Sequence, residues 1–169
     1  MLTCDRRLEP PALFITFTTY GTWLHGDERG SVDRSHNRPG MPLRPGNFHL
    51  RRNRHALLRQ PPFILGPRER TAVDAAIREV CAYRQWDLHA LNVRISHLHA
   101  VVVGDANGKR AMNEFKAYAT RRLVREGTVP PGRRVWTEGG SVRIVRTVDE
   151  LERVCWYVNM EQGIPLPTA

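Results

Sequence analysis

Apolar and polar positions along the chain change period several times, and each change marks an element. Leu13 to Tyr20, LFITFTTY, is β-branched and aromatic and predicts a first strand. Pro67 suits the first position of a helix. After it Val73, Ala76, Ile77 and Val80 recur at helical spacing, with Arg68, Glu69, Arg78 and Glu79 opposite, so a surface helix is predicted to run to about Arg84. In Gln85 to Ile95, Trp86, Leu88 and Ala90 alternate, then Leu91, Val93 and Ile95 alternate out of phase. That one-residue slip predicts a strand with a bulge near Ala90. Ser96 to Val103, SHLHAVVV, follows almost at once, so the two strands pair antiparallel through a tight hairpin. Asp105 to Gly108 is a turn, and Met112, Phe115, Ala119 and Leu123 form the stripe of a second helix over about Lys109 to Glu126. Val135-Trp136-Thr137 and Val142 to Arg146 are strand-like around Gly139-Gly140. Thr147 with Glu150 makes a capping box for a last helix, with Leu151, Val154, Cys155 and Val158 inward and Gly163 and Pro165 to stop it. This order is a βαββαβ, ferredoxin-like α+β sandwich, an antiparallel sheet with helices, plus a C-terminal helix.

One stretch resists this reading. From about residue 29 to 66 there is little periodicity, five prolines (Pro39, Pro42, Pro45, Pro61, Pro62) and, between Arg34 and Arg68, no acidic residue. The expectation is one domain over 1–169 with a basic insertion at about 29–66. Arg51, Arg52 and Arg54 are its most basic part. A loop this long is either a solvated insertion or an arm that tracks a phosphate backbone.

Charge strengthens the second alternative. Of 26 basic residues, 24 are Arg and two are Lys; the net charge is +9 and the pI near 10.5. Arginine's planar fork matches phosphate oxygens, which favours a polyanion partner, although a GC-rich genome produces the same bias. Cys4, Cys81 and Cys155 lack metal-binding spacing, and Cys81 and Cys155 fall on apolar helix faces. No apolar stretch approaches the ~20 residues of a membrane span, and the first residues lack an apolar signal core. A cytoplasmic protein with no membrane partner is expected.

Candidate chemistry begins at His97 and His99. Along a strand they share one face with Val101 and Val103, while Leu98, Ala100 and Val102 line the other. Two imidazoles one strand-step apart can hold a divalent ion on a rigid element; a buried strand with two incidental histidines has the same pattern. Tyr118 lies beside the second helix's apolar stripe, with Glu114 one turn before it and Lys116, Arg121 and Arg122 around it. A phenol so placed can act as a covalent nucleophile on a phosphodiester, or simply cap the core.

A histidine–apolar–histidine strand followed by a helix with one tyrosine resembles the HUH-type single-tyrosine (Y1) transposases of the IS200/IS605 class, in particular the REP-associated tyrosine transposases. TTYGTWLHGD (18–27), ISHLHAVVV (95–103), FKAYATRRL (115–123), VWTEGGSVRIV (135–145) and YVNMEQG (157–163) are similar to its segments, in its order. The resemblance implies a divalent metal (Mg or Mn), a single-stranded DNA substrate with hairpin ends, a 5′-phosphotyrosine intermediate, and a monomer or homodimer in a bacterial-type nucleoid. It implies His97 and His99 as metal ligands and Tyr118 as nucleophile. The family's third ligand, a Gln or His one turn past the tyrosine, falls here on Arg122, which cannot bind a cation. Glu114, Glu138 and Asp27 are the alternatives. Arg51, Arg52, Arg54, Lys116, Arg121 and Arg122 are the expected DNA contacts. Two further readings stay open: a catalytically inactive DNA-binding module derived from such a transposase, and an RNA-binding ferredoxin-like module, against which stands the lack of interleaved aromatics on a central strand.

Overall fold

The computed structural model describes residues 6–31, 42–104 and 107–161. Expectations for Cys4, Pro39, the Asp105-Ala106 half of the turn, Gly163 and Pro165 lie outside these. Strand β1 (Arg7–Thr18) is central and longer at its start than the β-branched run alone suggests. It is joined by β2 (Asp87–Val93), β3 (His97–Val103) and β4 (Ser141–Thr147) in one four-stranded sheet of order β2-β3-β1-β4. Every neighbouring pair is antiparallel. With helices α2 (Pro67–Arg84) and α3 (Gly108–Arg125) as the crossovers, this is the ferredoxin-like α+β fold. The slip in β2 is a register shift between Leu88 and Ala90 against β3. Val135–Thr137 adds no strand, only an isolated bridge between Trp136 and Thr19.

The two sheet faces carry separate cores. Leu13, Ile15 and Phe17 of β1 and Leu98, Ala100 and Val102 of β3 are buried against α2 and α3, whose stripes supply Val73, Ile77, Val80, Phe115, Ala119 and Leu123. On the opposite face Ala12, Ala90, Val101 and Val145 are closed over by Leu151, Val154 and Val158. These come from helix α4 (Val148–Trp156) and the π-helical turn Tyr157–Glu161 that prolongs it. Thr147 caps α4 by accepting from the Glu150 backbone N–H at 3.3 Å. Glu150 accepts in turn from the Arg146 N–H at 3.2 Å, one residue before its partner in the usual box. Cys155, expected inward, is only partly buried. No helix of the described residues is long and apolar enough to cross a membrane.

The insertion is not structureless where it is described. It contains helix α1 (Phe48–Ala56), none of whose residues is buried. Without a buried face there is no apolar stripe, which is why periodicity misses it. Asn47 caps it by accepting from the Leu50 N–H at 2.9 Å. Its first turn rests on Gly26, where a Cβ would stand 2.5 Å from the Asn47 carbonyl oxygen and 2.7 Å from the Arg51 nitrogen. Gly26 has φ +89°, so both the space and the backbone require glycine.

Candidate functional site

Pairing register puts the histidines side by side on the α4 face. Thr16 is opposite His99 and Thr18 opposite His97 on β1, and Asn92 is opposite His99 on β2. Strand alternation then aligns Phe14 and Thr16 of β1, His97, His99 and Val101 of β3, and Ser141, Arg143 and Val145 of β4 on one face. The two imidazole centroids are 5.0 Å apart with the rings near perpendicular. His99, 7% exposed, has Nδ1 hydrogen-bonded to Thr16 Oγ1 at 2.8 Å. His97 is half-buried, with Nδ1 3.2 Å from Ser96 Oγ. The Phe14 ring stacks on His99 at 5.6 Å.

The tyrosine brought to this pair is Tyr157. Its ring meets His99 edge-on at 5.9 Å and Phe14 edge-on at 6.2 Å, and it stays 36% exposed. The reason lies in α4. Leu151, Val154 and Val158 must face the sheet, so the helix lies along the histidine face and its end falls beside His99. The helix widens to a π turn starting at Tyr157, a distortion often found at functional positions. Val158 is fixed through its carbonyl, which accepts from Asn92 Nδ2 at 2.9 Å.

Tyr118 is not brought there. It packs on the core between the sheet and α2 and α3, on the side away from the histidines. Arg121 covers its ring at 4.5 Å. The hollow beside it, about 470 Å³, is lined among the described residues by α3 and its cap residue, Arg110, Glu114 and Arg121 included. Within one chain the Tyr118 phenol therefore stands on the opposite side of the sheet from His97 and His99, because both crossover helices occupy the face that Leu98, Ala100 and Val102 line.

Glu114 also stands apart from the pair. Arg84 holds it at 2.8 Å and Arg110 at 3.0 Å. Burial pushes its carboxyl up, but Arg110 and Arg84 together outweigh this and hold it below the usual range. Asp27 is buried and paired with Arg29 at 2.7 Å, and that hydrogen bond lowers its carboxyl. Glu138 is exposed on the loop before β4. Among the described residues no third His, Cys, Asp or Glu joins the two histidines.

The expected DNA contacts divide in the same way. Arg51, Arg52 and Arg54 are exposed on α1. Lys116 is turned inward: its ammonium donates to the carbonyls of Thr137, at 2.8 Å, and Gly139, and lies over the Phe17 ring at 5.2 Å. Burial pulls its pKa down to about 8. Arg121 is exposed and lies over the Tyr118 ring, and Arg122 pairs with Glu79 at 2.5 Å and Glu126 at 2.7 Å.

The donor set fits a divalent ion in part. Both Nδ1 atoms engage hydroxyls, the arrangement that orients a metal-binding imidazole to ligate through Nε2. Two nitrogens suit an ion whose other positions are taken by phosphate oxygens and water.

No protein-family model matches the chain, and no curated protein matches it. Among solved structures it is similar to that of a REP-associated tyrosine transposase bound to a REP hairpin. The TM-score is 0.50 at 10% identity, over 92% of this chain and 68% of that one. The likeness is one of fold. It extends over nearly the whole chain.

Sequence pattern alone favours Tyr118 over Tyr157, which lies in the terminal helix, and gives Thr16 and Phe14 no role. A signal for them exists in the sequence. Right-handed crossovers send α2 and α3 to one face, and Val101 and Val103 require a cover on the other. The last helix is the element left to supply it.

Proposed function

We propose that the protein is a single-strand DNA nicking and joining enzyme of transposase type, dependent on a divalent metal and acting on hairpin-bearing DNA, with Tyr157 as its nucleophile. The observation that carries this reading is the Tyr157 ring 5.9 Å from His99, on the face His99 shares with His97. The spacing along the chain supports it. The family this sequence resembles has its third ligand one turn past the tyrosine. From Tyr118 that offset reaches Arg122, which repels a cation; from Tyr157 it reaches Glu161, an oxygen donor.

His97 and His99 would hold the ion, which when bound withdraws charge from a phosphoryl oxygen. The chain's own residues do the rest. Phe14 and Thr16 fix the His99 imidazole, and Ser96 engages that of His97. The π turn holds the phenol at the rim of the site, where a phosphate can approach. Tyr157 Oη bonds to phosphorus and the P–O3′ bond breaks. The phenol proton ends on the released 3′-hydroxyl, and the 5′-phosphate stays on the tyrosine. One phosphodiester replaces another, so the linkage keeps the energy needed for rejoining.

The exposed arginines of α1 are assigned to the hairpin's phosphates. A second reading, a DNA-binding module without cleavage, is favoured by a single feature: among the described residues no third His, Cys, Asp or Glu is gathered beside the two histidines, Glu161 included.

Mn²⁺ titration by electron paramagnetic resonance separates the two. Tyr157→Phe protein with a hairpin oligonucleotide is expected to bind the ion, and to lose it on His97→Ala or His99→Ala. Complexes that take up no Mn²⁺ would leave only the binding module.

A further inference from the structure

Arg143 stands on the histidine face of β4 with no role yet. Its register partner is Phe14. Its guanidinium lies over the Phe14 ring at 5.5 Å, and that ring stacks on His99 and meets the edge of Tyr157. Phe14 thus has the two candidate reactive groups and one cation around it.

The cation is weakly engaged. Its carboxylate neighbour is Glu150, at 3.8 Å, beyond hydrogen-bonding distance. Arg29, Arg78, Arg84, Arg110 and Arg122 hold their carboxylates at 2.5–3.0 Å. Glu150 cannot close the gap cheaply, because its other oxygen accepts the Arg146 N–H where α4 begins. The side chain is 53% exposed. A guanidinium held by a ring, short of a full partner and open to solvent, is arranged to take an anion from solution.

We propose that Arg143 binds the phosphodiester presented to Tyr157, its fork gripping the two non-bridging oxygens. This rests on the functional reading above. The chemistry favours a phosphate over a carboxylate side chain. An acid on this chain already stands at 3.8 Å without capturing the fork, and a phosphodiester offers two oxygens at the spacing that the fork matches. The same interaction would hold phosphorus in front of the phenol and offset charge gathering on those oxygens as the Oη–P bond forms. Arg143 would then be a specificity element for the backbone and not for the base, since it reaches only phosphate.

The test uses Tyr157→Phe protein, which cannot cleave, and hairpin oligonucleotides carrying one uncharged methylphosphonate linkage. The linkage is walked through the unpaired flank, and affinity is read by fluorescence anisotropy. At one linkage the neutral substitution is expected to weaken binding about fivefold, the scale of one exposed charge pair. Adding Arg143→Ala or Arg143→Gln should abolish the sensitivity at that linkage alone. Arg143→Gln keeps the side chain's reach, and circular dichroism checks the fold of both variants. If every linkage keeps its sensitivity without Arg143, the arginine is only a charged edge-strand residue and the proposal falls. Cleavage is scored separately, with Tyr157 intact. A coupled linkage without covalent product keeps the phosphate interaction and removes the enzyme reading; covalent product without coupling does the reverse.

Discussion

His99 is held by neighbours of different kinds, and each constrains the chemistry. Thr16 Oγ1 fixes Nδ1, Phe14 stacks on the ring, and Tyr157 closes one edge. Thr16→Val keeps shape and burial but deletes the hydroxyl. By the usual weight of such supporting hydrogen bonds it should weaken Mn²⁺ binding about tenfold or more. Calorimetric titration of the DNA complex checks this; unchanged affinity would mean that Thr16 does not orient the ligand. Lys116 makes a contrasting case, a cation expected on DNA but spent on the loop before β4. Its pKa is lowered from 10.5 to about 8 by burial. Between those values the unfolded chain keeps a proton that the folded chain has released. The stability contribution of this group therefore rises with pH across that window and is flat below it. Comparing melting of wild type and Lys116→Met at about pH 7 and pH 10 should show the wild type gaining relative to the variant at the higher pH. A constant difference would mean that the amine is not buried.

At the scale of elements, α1 is the part that stability does not account for. Nine residues with no buried face are too few to be a stable helix alone, since isolated helices need roughly 12–15. Its cap at Asn47 and its seat on Gly26 hold it in place, and its arginines give a reason for keeping it. Changing Arg51, Arg52 and Arg54 to Ala should lower the slope of log affinity against log salt by roughly 0.7–0.9 for each phosphate that is no longer neutralised. An unchanged slope would reduce α1 to a solvated excursion. The sequence signalled elements in proportion to how they are buried. The stripes of α2 and α3 and the slip in β2 were legible because burial imposes a period. Helix α1, with no buried residue, left no period to read. Val135–Thr137 reads as a strand because Val135 and Trp136 serve the α3 core, although its pairing is a single bridge from Trp136 to Thr19, just past the end of β1.

The whole molecule separates Tyr118 and Tyr157 by the thickness of a sheet. That His97 and His99 share a face was legible, because alternation along β3 is local. Which helix covers that face is not local, since Val101 and Leu98 are equally apolar and either side of β3 reads as core. Tyr118 matched the expected neighbourhood of basic residues, but those cations are bound elsewhere: Arg122 to glutamates, Lys116 to carbonyls, Arg121 to the tyrosine ring itself. Tyr157 has fewer basic neighbours in the sequence and acquires the histidines only through the fold. The central claim is therefore that cleavage belongs to the α4 face. The measurement is covalent trapping of a 3′-labelled hairpin oligonucleotide in Mn²⁺, resolved under denaturing conditions, for wild type, Tyr157→Phe and Tyr118→Phe. The account predicts label on wild type and on Tyr118→Phe and none on Tyr157→Phe, with hairpin binding kept by all three. Label that persists on Tyr157→Phe and disappears from Tyr118→Phe would contradict it.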